Sequence, residues 1–144
     1  AALWKVYSDF QKGIMLVSNT TKIIKALEQT EEKVQMSEVH YVDYKNDRIP
    51  DGNINWPIIH KHKAYNYEKE VRLIYSLPIK PGIEVDWSKE ESPTGKSLPV
   101  DLSSLLEKVV ISPYAEQWYI DLIKDICSKY ELDKPIYKSE FAKN

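Results

Sequence analysis

The spacing of apolar residues predicts an α+β domain. Three stretches carry that reading. Val71, Leu73 and Tyr75 alternate with Arg72 and Ile74, the period of a β-strand. Gly13-Ile14-Met15-Leu16-Val17 and Lys108-Val109-Val110-Ile111 are short continuous apolar runs of strand length. Ala115, Trp118, Tyr119, Leu122, Ile123, Ile126, Cys127 and Tyr130 keep helical spacing. The expectation is a single domain over residues 1–144, with a mostly antiparallel sheet of about five strands, packed helices, and a long C-terminal helix over 113–130.

In chain order, Leu3, Trp4 and Tyr7 predict one helical turn that closes before Gly13. The 13–17 run is expected to be a buried strand. Ser18, Asn19 or Thr20 then caps a helix whose apolar face is Ile23, Ile24 and Leu27. Val34 to Tyr44 alternates as one strand, with a change of phase at Glu38-Val39 that predicts a bulge. Pro50-Asp51-Gly52-Asn53 is turn chemistry. Asn55 or Trp56 with Pro57 starts a short helix. The 71–75 strand has apolar groups on both faces, so it is expected to be central and covered on both sides. Residues 82–87 are expected to form a hairpin with it, and 88–97 a mobile loop. Asp101 caps a single turn through Leu105, and Ser112-Pro113 starts the last helix. Ile136-Tyr137 is expected as an edge strand, and residues 141–144 as a frayed end. In the last helix Trp118, Leu122, Ile123 and Ile126 should all be buried against the sheet, with Cys127 inert in the same stripe.

Composition narrows the function classes. The chain has 144 residues, 42% of them hydrophobic, and a net charge of −2. That balance implies no broad nucleic-acid binding. The longest apolar runs are too short to span a membrane as a helix. The single cysteine, Cys127, forms no internal disulfide, which favours a reducing, cytoplasmic setting. The composition is also compatible with a homo-oligomer.

The densest chemistry lies in His60-Lys61-His62-Lys63-Ala64-Tyr65-Asn66-Tyr67-Glu68-Lys69-Glu70-Val71-Arg72. Glu70 and Arg72 are two apart and share a strand face, and Glu68 joins them if the strand reaches back that far. One reading is a structural ion pair. The other is a pocket lined by two carboxylates and a guanidinium. Glu70 and Arg72 are expected to pair and be buried, and Glu68 to face solvent or ligand. A zinc site from His60 and His62 with His40, Glu68 or Glu70 is disfavoured by Lys61 and Lys63, which repel a cation, so no metal is assigned. A nuclease centre from Asp43 and Glu70-Val71-Arg72 would need a lysine where Arg72 stands. Neither a phosphate-binding loop nor a dinucleotide fingerprint occurs, four glycines leave little to build one from, and no cofactor is implied. Glu68-Lys69-Glu70 resembles the paired glutamates of arginine-directed ADP-ribosyltransferases, whose upstream Arg strand and Ser-Thr-Ser strand this chain lacks.

A longer resemblance runs through Leu3-Trp4-Lys5-Val6-Tyr7, Gly13 to Val17, Val39-His40-Tyr41-Val42-Asp43, Lys61-His62-Lys63, Tyr67-Glu68-Lys69-Glu70-Val71-Arg72-Leu73-Ile74 and Lys108 to Pro113. In this order the segments resemble the bacterial domain-of-unknown-function family 2971. Val71 stands where that family carries an aromatic, Ser18-Asn19 where it carries an acid, and its usual N-terminal segment is absent. The resemblance implies a prokaryotic or phage origin, often beside defence or mobile genes, and no established activity. Two functions stay open. One is a domain that binds or processes a nucleotide-like or other anionic small molecule, with Glu68 and Glu70 catalytic and Trp4, Tyr7, Lys63, Tyr67 and Arg72 binding. The other is a non-enzymatic interaction or defence-associated module in which the Tyr-Glu-x-Glu-x-Arg block is structural.

Overall fold

The computed structural model describes residues 2–76 and 96–140. It is α+β, as the patterning predicts, but the strands of the described residues form three small sheets rather than one. Two compact units arise: one from residues up to Glu31 and from Ser97 onward, the other from Glu32–Lys96.

In the first unit, α1 (Ala2–Tyr7) leads to β1 (Ile14–Val17) and α2 (Thr20–Leu27). Gly13 between α1 and β1 allows a close approach: a Cβ there would lie 2.8 Å from Ser8 Cβ. Asn19 caps α2, its side chain accepting from the Lys22 N–H at 3.0 Å. Later in the chain come α4 (Leu102–Leu105), β6 (Lys108–Ile111), α5 (Gln117–Lys129) and β7 (Ile136–Lys138); the elements numbered in between belong to the other unit. Asp101 caps α4 by accepting from the Ser103 and Ser104 N–H groups at 2.9 and 3.2 Å.

The sheet of this unit has the order β1-β6-β7. Strand β1 is antiparallel to β6 with Ile14 opposite Ile111, and β7 is parallel to β6 with Val109 opposite Ile136. The predicted buried strand at 108–111 and edge strand at 136–137 are both present. Strand β1 is different from expectation. Among the described residues it is an edge strand, with Ile14, Met15 and Leu16 exposed, because an apolar run of this length fits an edge as readily as a centre.

The core is Val109, Ile111, Ala115, Ile123 and Cys127, with Tyr119, Ile120, Leu132 and Ile136 packed against it. Cys127 is buried there, as its place in the stripe predicts. Helix α5 starts at Gln117, not at 113. The Ser112 hydroxyl is spent elsewhere: it donates to the Phe10 carbonyl at 2.6 Å and accepts from the Tyr114 N–H at 3.3 Å. Ser112-Pro113 therefore makes a turn instead of a cap. The α5 stripe is also wider than its contact with the sheet. Ile123 is buried, whereas Trp118, Leu122 and Ile126 are exposed, against expectation.

In the second unit, β2 (Val34–Glu38) pairs antiparallel with β5 (Val71–Tyr75), placing Ser37 opposite Arg72. Strand β3 (His40–Val42) pairs parallel with β4 (His60–His62), placing Tyr41 opposite Lys61. Helix α3 (Trp56–Ile59) feeds directly into β4. The phase change at Glu38-Val39 is where one predicted strand becomes two. The buried Val39 donates its N–H to the Glu70 carbonyl at 2.9 Å, ending the first pairing before the second begins. Strand β5 is not covered on both faces: Ile74 is buried, but Val71 and Leu73 are exposed. Its expected hairpin partner at 82–87 lies outside the described residues, as do the tail at 141–144 and most of the expected loop at 88–97.

The two halves of the α5 stripe should respond differently to truncation. Ile123→Ala should destabilise by about 2–4 kcal/mol in urea unfolding, as a buried large-to-small change does. Leu122→Ala should cost less than about 1 kcal/mol, since much of that side chain is already in water.

Candidate functional site

Four side chains meet at the entry of β5. Arg72 forks onto Glu70, with Nε donating to Oε1 at 2.6 Å and Nη2 to Oε2 at 3.2 Å. Its Nη1 donates to the Ile58 carbonyl at the end of α3. Lys61 on β4 donates to both carboxylates, reaching Glu70 Oε2 at 3.1 Å and Glu68 Oε2. The Lys61 ammonium also lies 5.0 Å over the ring of Tyr65. Lys61 and Tyr41 are missing from the sequence-predicted site. They enter through the parallel β3–β4 pairing, which no local spacing announces.

Glu70 spends every polar group it has. Its carboxylate accepts from Arg72 and Lys61. Its N–H donates to Tyr41 Oη at 2.9 Å, and its carbonyl accepts from Val39. The chain reaches this geometry through Lys69, which sits in the left-handed region at φ 49°, ψ 51° and ends the 3₁₀ turn Lys63–Glu68. A non-glycine residue there carries strain. Its effect is to turn both Glu68 and Glu70 toward Lys61. Glu68 thus joins the row from a turn, since β5 begins at Val71.

Exposure overturns the predicted division of the pair. The Glu68 side chain is 8% exposed, whereas Glu70 and Arg72 are each 29% exposed. Glu68 is the enclosed carboxylate because it lies under Lys61, and Glu70 is the one that reaches water. The fork from Arg72, aided by Lys61, holds the Glu70 carboxyl at a pKa of about 2. The same hydrogen bonds raise Arg72 and Lys61, chiefly through Glu70 for the first and Glu68 for the second.

The other predicted site residues are dispersed. Lys63 pairs with Asp43 at 2.7 Å, and this bond holds the Asp43 carboxyl at about 2. Tyr67 is exposed beside Glu68 in the sequence. Trp4 and Tyr7 belong to α1 in the first unit, where Trp4 is buried and Tyr7 exposed.

The three histidines lie on the opposite face of the β3–β4 ribbon from Tyr41 and Lys61, by strand alternation. His40 and His60 have ring centroids 5.3 Å apart. His60 Nδ1 lies 2.6 Å from the Trp56 carbonyl, so that nitrogen carries the proton. Among the described residues, no group of three or more His, Cys, Asp or Glu is placed to hold a metal ion.

The depressed Glu70 pKa gives a pH dependence with a definite sign. The unfolded carboxyl titrates near 4.5 and the folded one near 2, so the unfolded state binds the proton first as pH falls. The stability from this group is complete above the unfolded value and is lost between pH 4.5 and about 2. Melting temperatures measured from pH 6 downward should fall less steeply for Glu70→Gln than for the parent chain. At pH 6, Arg72→Ala should be destabilised by about 1.5–3 kcal/mol, the range for hydrogen bonds to a charged group.

Among the described residues, no helix is long and apolar enough to cross a membrane. No curated protein and no solved structure matches the chain. A family match does exist, and it ends at Leu73, short of the C-terminal strand and helix to which the resemblance in the sequence extends. The match runs from α1 through the whole ion-paired block: residues 3–73 match the model of the family described as a protein of unknown function, DUF2971.

Proposed function

We propose that the Tyr-Glu-x-Glu-x-Arg block binds a small hydroxyl-bearing molecule of the nucleoside or nucleotide type. One observation carries the reading: an exposed aromatic ring, Tyr65, stands next to a carboxylate network held ionised and fixed by Lys61 and Arg72. An exposed ring is a stacking platform for a planar base. A fixed, ionised carboxylate accepts hydrogen bonds from ribose hydroxyls, a role acidic residues fill in dinucleotide sites. Glu70 is the carboxylate of the network that reaches water. Tyr67 and Lys63 are exposed on the same 3₁₀ turn and supply further contacts to the ligand. Trp4 and Tyr7, on α1, form no part of this reading.

The chemistry open to this site is electrostatic. A carboxyl with a pKa of about 2 is no general acid near neutrality. It can stabilise positive charge that develops on a bound sugar. The setting we infer is the cytoplasm of a prokaryote or a phage-infected cell, supported by the lone cysteine and the family resemblance.

A second reading has its own support. The charges of Lys61, Glu70 and Arg72 are answered within the block, as in a purely structural clamp. The protein is then a non-enzymatic interaction or defence-associated module.

A thermal-shift series with adenosine, AMP, ATP, NAD and ribose separates the two. The binding reading expects at least one nucleoside or nucleotide to raise Tm by a few degrees; about tenfold excess over Kd is worth about 1.4 kcal/mol. Tyr65→Ala should abolish that rise while leaving the unliganded melt nearly unchanged. If no compound shifts Tm at millimolar concentration while Glu70→Gln and Arg72→Ala both lower it, the block is a clamp and the binding reading fails.

A further inference from the structure

We propose that the free edge of β1 and the exposed flank of α5 form the interface of a two-fold symmetric homodimer. Every residue involved belongs to the first unit, and none to the proposed ligand site.

Val109 and Ile111 face α5 in the core, and cross-strand partners share a sheet face. Leu16 is opposite Val109 and Ile14 opposite Ile111, so both lie on the α5 side of β1. Trp118, Leu122, Ile126 and Tyr130 recur every four residues along one flank of α5 and its cap. That flank leans toward β1 at its N-terminal end: Lys12, just before β1, holds its ammonium 5.8 Å over Trp118 and accepts at its carbonyl from Tyr119 Oη at 2.5 Å. The six side chains are 43–73% exposed. Counting roughly 150–250 Å² for a large side chain, they leave about 500 Å² of apolar surface, as much as the largest patch of a typical monomer.

The two edges of the sheet show which one is built to be paired. Edge strand β7 is three residues long, follows Lys134-Pro135 and ends in Lys138. Charge, proline and shortness are how proteins protect an open edge. Strand β1, Ile14-Met15-Leu16-Val17, carries neither charge nor proline, and among the described residues its outer edge pairs with nothing.

A second copy fits this edge by geometry. Two antiparallel β1 strands keep their α5 faces on the same side only when residues of equal parity stand opposite. Met15 opposite the partner's Met15 puts Ile14 against the partner's Leu16. The two α5 flanks then face each other across the axis. The six side chains leave about 500 Å² per copy, short of the roughly 800 Å² per partner of a standard stable interface, which fits a reversible dimer.

The test is sedimentation of the full chain over a range from sub-micromolar to about 100 µM. The parent chain should show a monomer–dimer equilibrium. Leu16→Lys and Leu122→Lys change exposed side chains, so each should keep its circular-dichroism melt and raise the dimer Kd at least tenfold. Hydrogen exchange of the β1 amides that do not face β6 should slow as the parent's concentration rises, which reads the same edge without any substitution. A monomer at every concentration, a dimer insensitive to both variants, or β1 protection that does not change with concentration would overturn the proposal. The last result would mean that the chain's own residues cover the edge.

Discussion

A partly buried carboxylate must find donors, because an ionised oxygen removed from water without them is costly. Glu70 finds them in a way that organises the described part of the second unit. Its side chain takes Arg72 from β5 and Lys61 from β4. Its backbone takes Tyr41 from β3 and Val39 from the break between β2 and β3. Arg72 passes the connection on to α3 through the Ile58 carbonyl. Two small sheets, neither of them stable as an isolated pair of strands, are joined through one residue.

That arrangement also explains the left-handed Lys69. The residue between two glutamates could follow an ordinary extended path, which would send Glu68 along the strand. Instead the backbone turns, at a local energetic cost, and sets Glu68 beneath Lys61. Strain of this kind persists where the surroundings over-determine it, and here three charged partners do so. The same turn leaves Tyr65 and Tyr67 on the outside. The ion pairs fix the carboxylate, and fixation is what makes an acceptor useful to a ligand.

The first unit follows a different constraint. Its core is narrow, built from one face of β6 and the Ile123–Cys127 side of α5. A helix stripe some 200° wide, by its spacing, is more than one small sheet can cover. The excess falls on the flank beside β1, whose own side chains are also left open. An apolar helix flank and an uncharged strand edge on the same side are the features that distinguish an interface from an ordinary surface.

By itself the sequence determined the local elements. Period and capping chemistry place α2 at Asn19, α4 at Asp101, β5 at Val71 and β6 at Lys108, because those signals reside in a few neighbouring residues. It also marked Glu70 and Arg72 as partners, since two residues on one strand face are near in space whatever the fold. Tertiary structure decided the rest. Which strands pair depends on contacts between distant residues, so one expected sheet became three. Whether Ser112 caps a helix depended on Phe10, far away in the chain, claiming its hydroxyl. The role of Glu68 depended on Lys61, brought to it by a parallel pairing that begins at His40. Exposure is a property of the assembled surface, and apolar spacing alone cannot distinguish a stripe that meets the protein's own sheet from one left for a second molecule.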